Sequence, residues 1–167
     1  MTELTFSQLV LFALLANLPD VDMLASYALT GNVLSYHGGM THTLAFAMLI
    51  AGVLVFAREW GNRVSGNKIS GNRIFAYGLF VAAIFSHDLI DSLTGAELGW
   101  HATRGMPLFW PLYEDRMSSP LTLFPGPQHD SWDRLFNVHN LWVMLYEIVV
   151  FSPVLFWLSL RQFRQKS

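Results

Sequence analysis

The chain has 167 residues, of which 53% are hydrophobic and only 13% charged, with a formal net charge of −2 and no cysteine. Soluble domains carry charge on about a quarter of their residues, and here the apolar residues are gathered into blocks, the pattern of membrane spans. No basic surface or signature for nucleic acid is present, and without cysteine there is no disulfide framework, thiolate nucleophile or Cys-based zinc site. Any metal must be held by His and carboxylates.

The first block, about Leu4 to Leu18, lacks the basic start and the small-residue cleavage site of a signal peptide and reads as an uncleaved span. A second block covers Thr43 to Ala57, a third Ile74 to Leu93, and a fourth about Val138 to Leu160, with Pro153 inside it as a candidate kink. The fold expected is therefore all-α, one polytopic membrane domain over residues 1–167 with about four transmembrane helices in a bundle. Residues 19–42 and 94–137 form its outer segments and 58–73 a loop.

Lys and Arg accumulate in short cytoplasmic loops. Arg58, Arg63, Lys68 and Arg73 lie between the second and third blocks, and Arg161, Arg164 and Lys166 follow the fourth. Both termini are thus expected on the cytoplasmic side of a bacterial or archaeal inner membrane, with the outer segments facing the opposite side. The basic loop carries a small repeat, GNRVS, GNKIS and GNRIF, with Gly61, Gly66 and Gly71 five residues apart. It reads as a flexible basic turn, and a sharper alternative has its cations touch anionic headgroups.

Three motifs place His or Asp at the outer ends of the spans. In Asn17-Leu18-Pro19-Asp20-Val21-Asp22, the proline ends a helix and two aspartates can share a space if the chain turns; the plain alternative is a polar helix end. In His37-Gly38-Gly39-Met40-Thr41-His42, the glycines allow a tight path that brings two imidazoles toward one point. Thr41 is a candidate N-cap there, leaving His42 at the positive end of a helix dipole where an anion is favoured; the alternative is loop histidines bonded to water. In Ser86-His87-Asp88-Leu89-Ile90-Asp91-Ser92, His87 and Asp91 are four apart and share a helix face, about 6 Å apart along the axis. Asp88 is turned by about 100° and need not belong to that face. Ionisable residues inside a membrane segment demand a partner or a function; here the alternative is an interhelical hydrogen bond. Together the motifs supply up to three Asp and three His, enough for one metal ion or two. Mixed His and carboxylate ligands suit zinc, manganese or iron better than calcium or magnesium. Such a metal makes water a nucleophile at neutral pH, so hydrolysis is the economical reading.

The pattern resembles the YdjM-like, LexA-regulated, membrane-bound metal-dependent hydrolases of bacteria and archaea. The resemblance rests on LPDVD at Leu18 to Asp22, on HGGMTH at His37 to His42 with Thr43-Leu44, and on SHDLIDSLTG at Ser86 to Gly95 with PLFWPL at Pro107 to Leu112. Order and spacing agree over roughly the first 112 residues. Gly38 stands where the family often has Arg, which removes a cation suited to substrate phosphate, and Thr43 stands where it often has Ser. The resemblance implies Asp20, Asp22, His37, His42, His87 and Asp91 as metal ligands, with Asp22 and His42 also in catalysis. It supports hydrolysis with a divalent cofactor, zinc or manganese first, without settling the substrate. A site opening at the outer leaflet points to membrane lipid as the partner, and metal beside a helix N-terminus points to a lipid phosphoester such as a phospholipid or polyprenyl phosphate as substrate.

The outer segment from Gly95 to Asn137 adds Trp100, Trp110, Trp132 and Tyr113, which read mainly as an interface belt. The alternative is the wall of a lipid cleft, with Arg104 or Arg116 meeting a headgroup phosphate. His101, His129 and His139 are further candidates, with His139, at the start of the fourth span, the one expected to approach the site. The competing functions are a metal-handling or transport protein whose His and Asp line an ion path, and a structural protein in which the polar cluster locks helices together.

Overall fold

The computed structural model describes residues 6–66, 71–128, 134 and 136–166; within the last helix, side chains are described as far as Pro153 and at Phe156 and Trp157. The protein is mostly helical. In chain order it has α1 (Phe6–Ala16), α2 (Val21–Thr30), α3 (Leu44–Val64), α4 (Arg73–Ser92), a short parallel pair β1 (Thr94–Gly95) and β2 (Phe124–Pro125), and α5 (Val138–Lys166).

Local chemistry sets the helix ends. The chain turns at Pro19, so that α1 and α2 meet at 47°, and α2 stops where Gly31 takes the left-handed conformation (φ 72°) and donates its N–H to Tyr27 O. Thr43 caps α3 by accepting from the Phe46 N–H at 3.1 Å. Asn72 caps α4 in the same way, accepting from the N–H groups of Ile74 and Phe75.

Several sequence expectations shift here. Helix continues past Ala57 to Val64, because the charged residues beyond the apolar block are good helix formers. Glu59 on that extension pairs with Arg73 Nε at 2.6 Å, tying the end of α3 to the start of α4. The middle repeat of the basic loop falls mostly at residues 67–70, outside the described residues. Residues 19–42 include a helix, α2, as well as loop. The N-cap is Thr43 rather than Thr41, whose hydroxyl is engaged elsewhere.

Two helices, α3 and α4, are long and apolar enough to cross a membrane, and α1 with α2 passes the same test as one broken span. The fourth expected span lies within α5, but its stretch beyond Pro153 falls largely outside the described side chains.

The core sits where α1, α3 and α4 meet. Leu15, Ala47, Ala51 and Ile84 are buried there, and Phe12 lies against Phe80 with ring centroids 6.5 Å apart. Ala47 and Ala51 carry only methyl groups, so the backbone of α3 comes close to α4, the usual device of helices packed in lipid. This antiparallel contact brings the residues just before α3 beside the last turns of α4. The large side chains on the other faces, such as Leu49, Val53, Phe56 and Phe75, point outward, as lipid-facing positions do.

The segment between β1 and β2 folds over that end of the bundle. It is held by the β1·β2 pair and by antiparallel bridges at Gly99–Thr122 and Met106–Met117. Leu108 O accepts the Leu44 N–H at 2.9 Å, so the outer segment satisfies one of the free donors at the start of α3. The last helix leans on this segment: Phe151 stacks on Phe124 at 5.7 Å, and Tyr146 Oη donates to Leu123 O at 3.0 Å.

Candidate metal centre

Three pieces of chain deliver the site. The turn between α1 and α2 presents Asp20, and the first turn of α2 presents Asp22. The loop before α3 presents His37 and His42, and the last turns of α4 present His87 and Asp91. The tight path through the glycines is present: a Cβ on Gly39 would stand 2.9 Å from Tyr36 O, and Ser26 Oγ accepts the Tyr36 N–H at 2.9 Å, pinning the loop to α2. All six residues named from the sequence come together.

They divide into two groups around His42, which is fully buried. On its Nε2 side stand Asp20 Oδ1 at 3.5 Å and Asp91 Oδ2 at 3.7 Å, while His87 Nε2 lies 3.2 Å from the same Asp20 oxygen and 3.3 Å from the same Asp91 oxygen. On its Nδ1 side stand Asp22 Oδ2 at 3.3 Å and Thr41 Oγ1 at 3.1 Å, and His37 Nδ1 lies 3.0 Å from Asp22 Oδ1.

The proton positions follow from Thr41. Its hydroxyl donates to Asp22 Oδ2 at 2.6 Å, so its oxygen can only accept from His42. In the neutral form that a metal ligand requires, His42 would therefore keep its proton on Nδ1 and turn the Nε2 lone pair toward Asp20, Asp91 and His87. Neither His42 Nε2 nor His87 Nε2 has a hydrogen-bond partner among the described residues, although both are buried. Buried polar atoms left in this way are costly. Two imidazole nitrogens and two carboxylate oxygens converge without being aligned for hydrogen bonds to one another.

That arrangement fits a cation. Nitrogen and oxygen ligands about 2.0–2.2 Å from a zinc ion in tetrahedral geometry stand roughly 3.3–3.6 Å from each other. Asp20 Oδ1 stands 3.5 and 3.2 Å from the Nε2 atoms of His42 and His87, close to that spacing, and these three form one group that could hold a metal ion, with Asp91 Oδ2 3.7 and 3.3 Å from the same two nitrogens. Asp22, His37 and His42 form a second group that could hold a metal ion; with an ion on the Nε2 side of His42, Asp22 would instead stand as an orienting carboxylate behind that histidine. With no cation present, burial by itself would keep His42 neutral, but the carboxylates of Asp20 and Asp22 outweigh it and carry its pKa up to about 9.

Sequence reasoning set Asp88 aside because of its rotation around α4. The structure buries it completely, and neither carboxylate oxygen has a hydrogen-bond partner among the described residues. The signal was its ionisable character inside an apolar helix, which its neighbours His87 and Asp91 shared. The other histidines go elsewhere. His139 Nε2 contacts Gly126 O at 2.9 Å, and His101 faces Glu97 at 3.7 Å in an exposed pair; His129 lies outside the described residues.

Apolar helices long enough to cross a bilayer, with a His and Asp cluster at one end that could hold a metal ion, define a membrane protein with a candidate metal centre. Residues 2–163 match the family described as YdjM inner membrane protein, and the chain belongs to that family. No curated protein and no solved structure matches the chain.

Proposed function

We propose that the protein is a membrane-bound, metal-dependent hydrolase acting on a lipid phosphoester, a phospholipid or polyprenyl phosphate, at the extracytoplasmic face of the inner membrane. In this reading the chain spans the membrane four times, with both termini cytoplasmic. The observation that carries the proposal is the convergence of His42 Nε2, His87 Nε2, Asp20 Oδ1 and Asp91 Oδ2 within 3.2–3.7 Å contacts at one end of the apolar helices.

Asp20, His42, His87 and Asp91 would hold a divalent ion, zinc or manganese first. When bound, such an ion supplies a Lewis acid that activates water and polarises a phosphoryl oxygen at neutral pH. Asp22 and Thr41 keep the proton of His42 on Nδ1. His37 and Asp22, 3.0 Å apart, form the pair best placed to take and return a proton beside the ion. The outer segment across residues 94–126 narrows access from water, and a substrate resident in the bilayer reaches a site at the helix ends without leaving lipid.

The test combines elemental analysis with turnover. Purified protein should hold about one divalent ion per chain and cleave a lipid phosphoester in mixed micelles, and His87→Ala should lose both. Metal-loaded, folded protein that cleaves no lipid phosphoester would sink hydrolysis.

One observation favours a second reading. Asp88 on α4, buried and without a hydrogen-bond partner among the described residues, is the kind of group that lines an ion path, and in a transporter the same ligands would pass the metal on. Metal uptake into sealed vesicles, abolished by Asp88→Asn, would support transport in place of hydrolysis.

A further inference from the structure

Arg116 lies in the outer segment, one residue before the Met106–Met117 bridge, whose two backbone hydrogen bonds of 3.0 and 2.8 Å fix its position. Its guanidinium donates from Nε to Gly105 O at 3.1 Å and from Nη1 to Gly38 O at 3.0 Å. Both acceptors sit on glycines with positive φ, 72° and 69°. A Cβ on Gly105 would press on Met117 and Ser118 backbone atoms at 3.2 Å, and one on Gly38 would stand 3.1 Å from Arg116 Nη2. The backbone is therefore shaped to let this side chain reach across the chain to the loop that carries His37 and His42.

Its partners there are uncharged. Two carbonyls and the Met106 sulfur, 3.8 Å from Nη2, hold the group in place but leave its charge without a counter-ion. No carboxylate of the described residues lies within ion-pair distance of it. Arg73 differs in this respect, paired with Glu59 at 2.6 Å. The Arg116 side chain is exposed, and a guanidinium has five N–H donors in a planar fork that matches the oxygens of a phosphate. Gly38 adjoins His37, whose Nδ1 is 3.0 Å from Asp22. The cation thus stands at the rim of a centre rich in carboxylates, where an anionic ligand needs positive charge beyond that of one divalent ion.

We propose that Arg116 is the phosphate-binding residue of this site, holding oxygens of a phosphate or phosphoester group while the rest of that group reaches the centre formed by Asp20, His42, His87 and Asp91. This rests on the hydrolase reading for the substrate class, but binding of phosphate does not require turnover, so the two fail separately. Phosphate binding that depends on Arg116 in a protein without activity would sink hydrolysis and leave the residue's role intact.

The experiment uses the metal-loaded full chain in detergent micelles. Inorganic phosphate binding is measured by calorimetry for the wild type, Arg116→Gln, Arg116→Lys and Arg104→Gln, with metal content determined in each. Arg104 makes no hydrogen bond or ion pair with the described residues, so it serves as the control. The expected result is about tenfold or greater weakening in Arg116→Gln with metal retained, a smaller loss in Arg116→Lys, and a change under about twofold in Arg104→Gln. Unchanged phosphate affinity in Arg116→Gln overturns the proposal, and so does weakening that appears only in step with loss of metal.

Should Arg116→Gln not fold, the wild type decides: phosphate should slow phenylglyoxal modification of Arg116 but not of Arg104, and equal rates would refute the assignment. Repeating the protection with phosphatidic acid identifies the source. Protection at much lower concentration than inorganic phosphate assigns the site to a lipid headgroup, and equal potency assigns it to free phosphate; either supports the residue's role.

Discussion

The two sets of histidines in this protein have separate fates. His42 and His87 are held by helix ends and turn buried Nε2 atoms, without hydrogen-bond partners among the described residues, toward a shared pair of carboxylates. His101 and His139 belong to the segment laid over those ends and to the helix behind it, and each faces one ordinary partner, Glu97 or Gly126 O. The difference lies in how each is delivered. Packed helices fix their termini to within fractions of an ångström, so several side chains can converge, whereas a surface segment satisfies its polar groups one at a time.

The sharpest way to break this contrast is to remove a converging ligand. His42→Ala, His87→Ala or Asp20→Ala should each lower metal affinity by more than about a hundredfold, beyond the usual effect of an outer partner, as read by elemental analysis after dialysis. Retained stoichiometric metal in any of the three would show that the convergence is not a metal site. Asp22→Asn comes next. It keeps the shape but loses the charge that orients His42, and metal affinity should fall by about 10- to 100-fold with the ion still detectable at saturating concentration.

Packing supports the same geometry from below. Ala47→Leu puts a larger side chain into the fully buried core that Ala47 of α3 shares with Ile84 of α4 and should cost about 1–3 kcal/mol, seen as a lower unfolding temperature in detergent, with weaker metal binding following from the displaced His42.

Acidity sharpens the comparison further. The pKa of His42 is raised from 6.5 to about 9 without a cation, so a metal must displace a proton below that pH. Apparent metal affinity should therefore rise by at least about tenfold per pH unit from 7 toward 9. In the metal-free protein the sign reverses. The stabilising contribution of protonated His42 is complete below pH 6.5 and is lost as the pH climbs through about 9, so metal-free protein should melt lower at pH 9.5 than at pH 6. Metal affinity independent of pH across this range would remove His42 from the ligand set. The smallest effect belongs to the second set: His139→Ala should leave metal content unchanged and cost about 1 kcal/mol or less, the worth of one ordinary hydrogen bond.

The sequence by itself carried the membrane character, the approximate positions of the helices and the identity of the polar residues. Composition and block length report directly on transfer into lipid, and the spacing of His87 and Asp91 places both on one face of any helix that contains them. Helix ends were less legible. The last turns of α3 run through charged residues that hydropathy does not distinguish from a loop, and α2 is too short and mixed in character to stand out between Pro19 and Gly31. What only the tertiary structure decided was the division of labour within the cluster. That His42 offers Nε2 to Asp20, Asp91 and His87 and keeps Nδ1 toward Asp22 depends on the Thr41 hydroxyl and on Ala47 and Ala51 bringing α3 against α4. The burial of Asp88 and the reach of Arg116 to Gly38, across 78 residues of sequence, depend on the same packing. Periodicity along a chain encodes which residues share a face, whereas the atoms that meet across faces are set by how closely the helices approach.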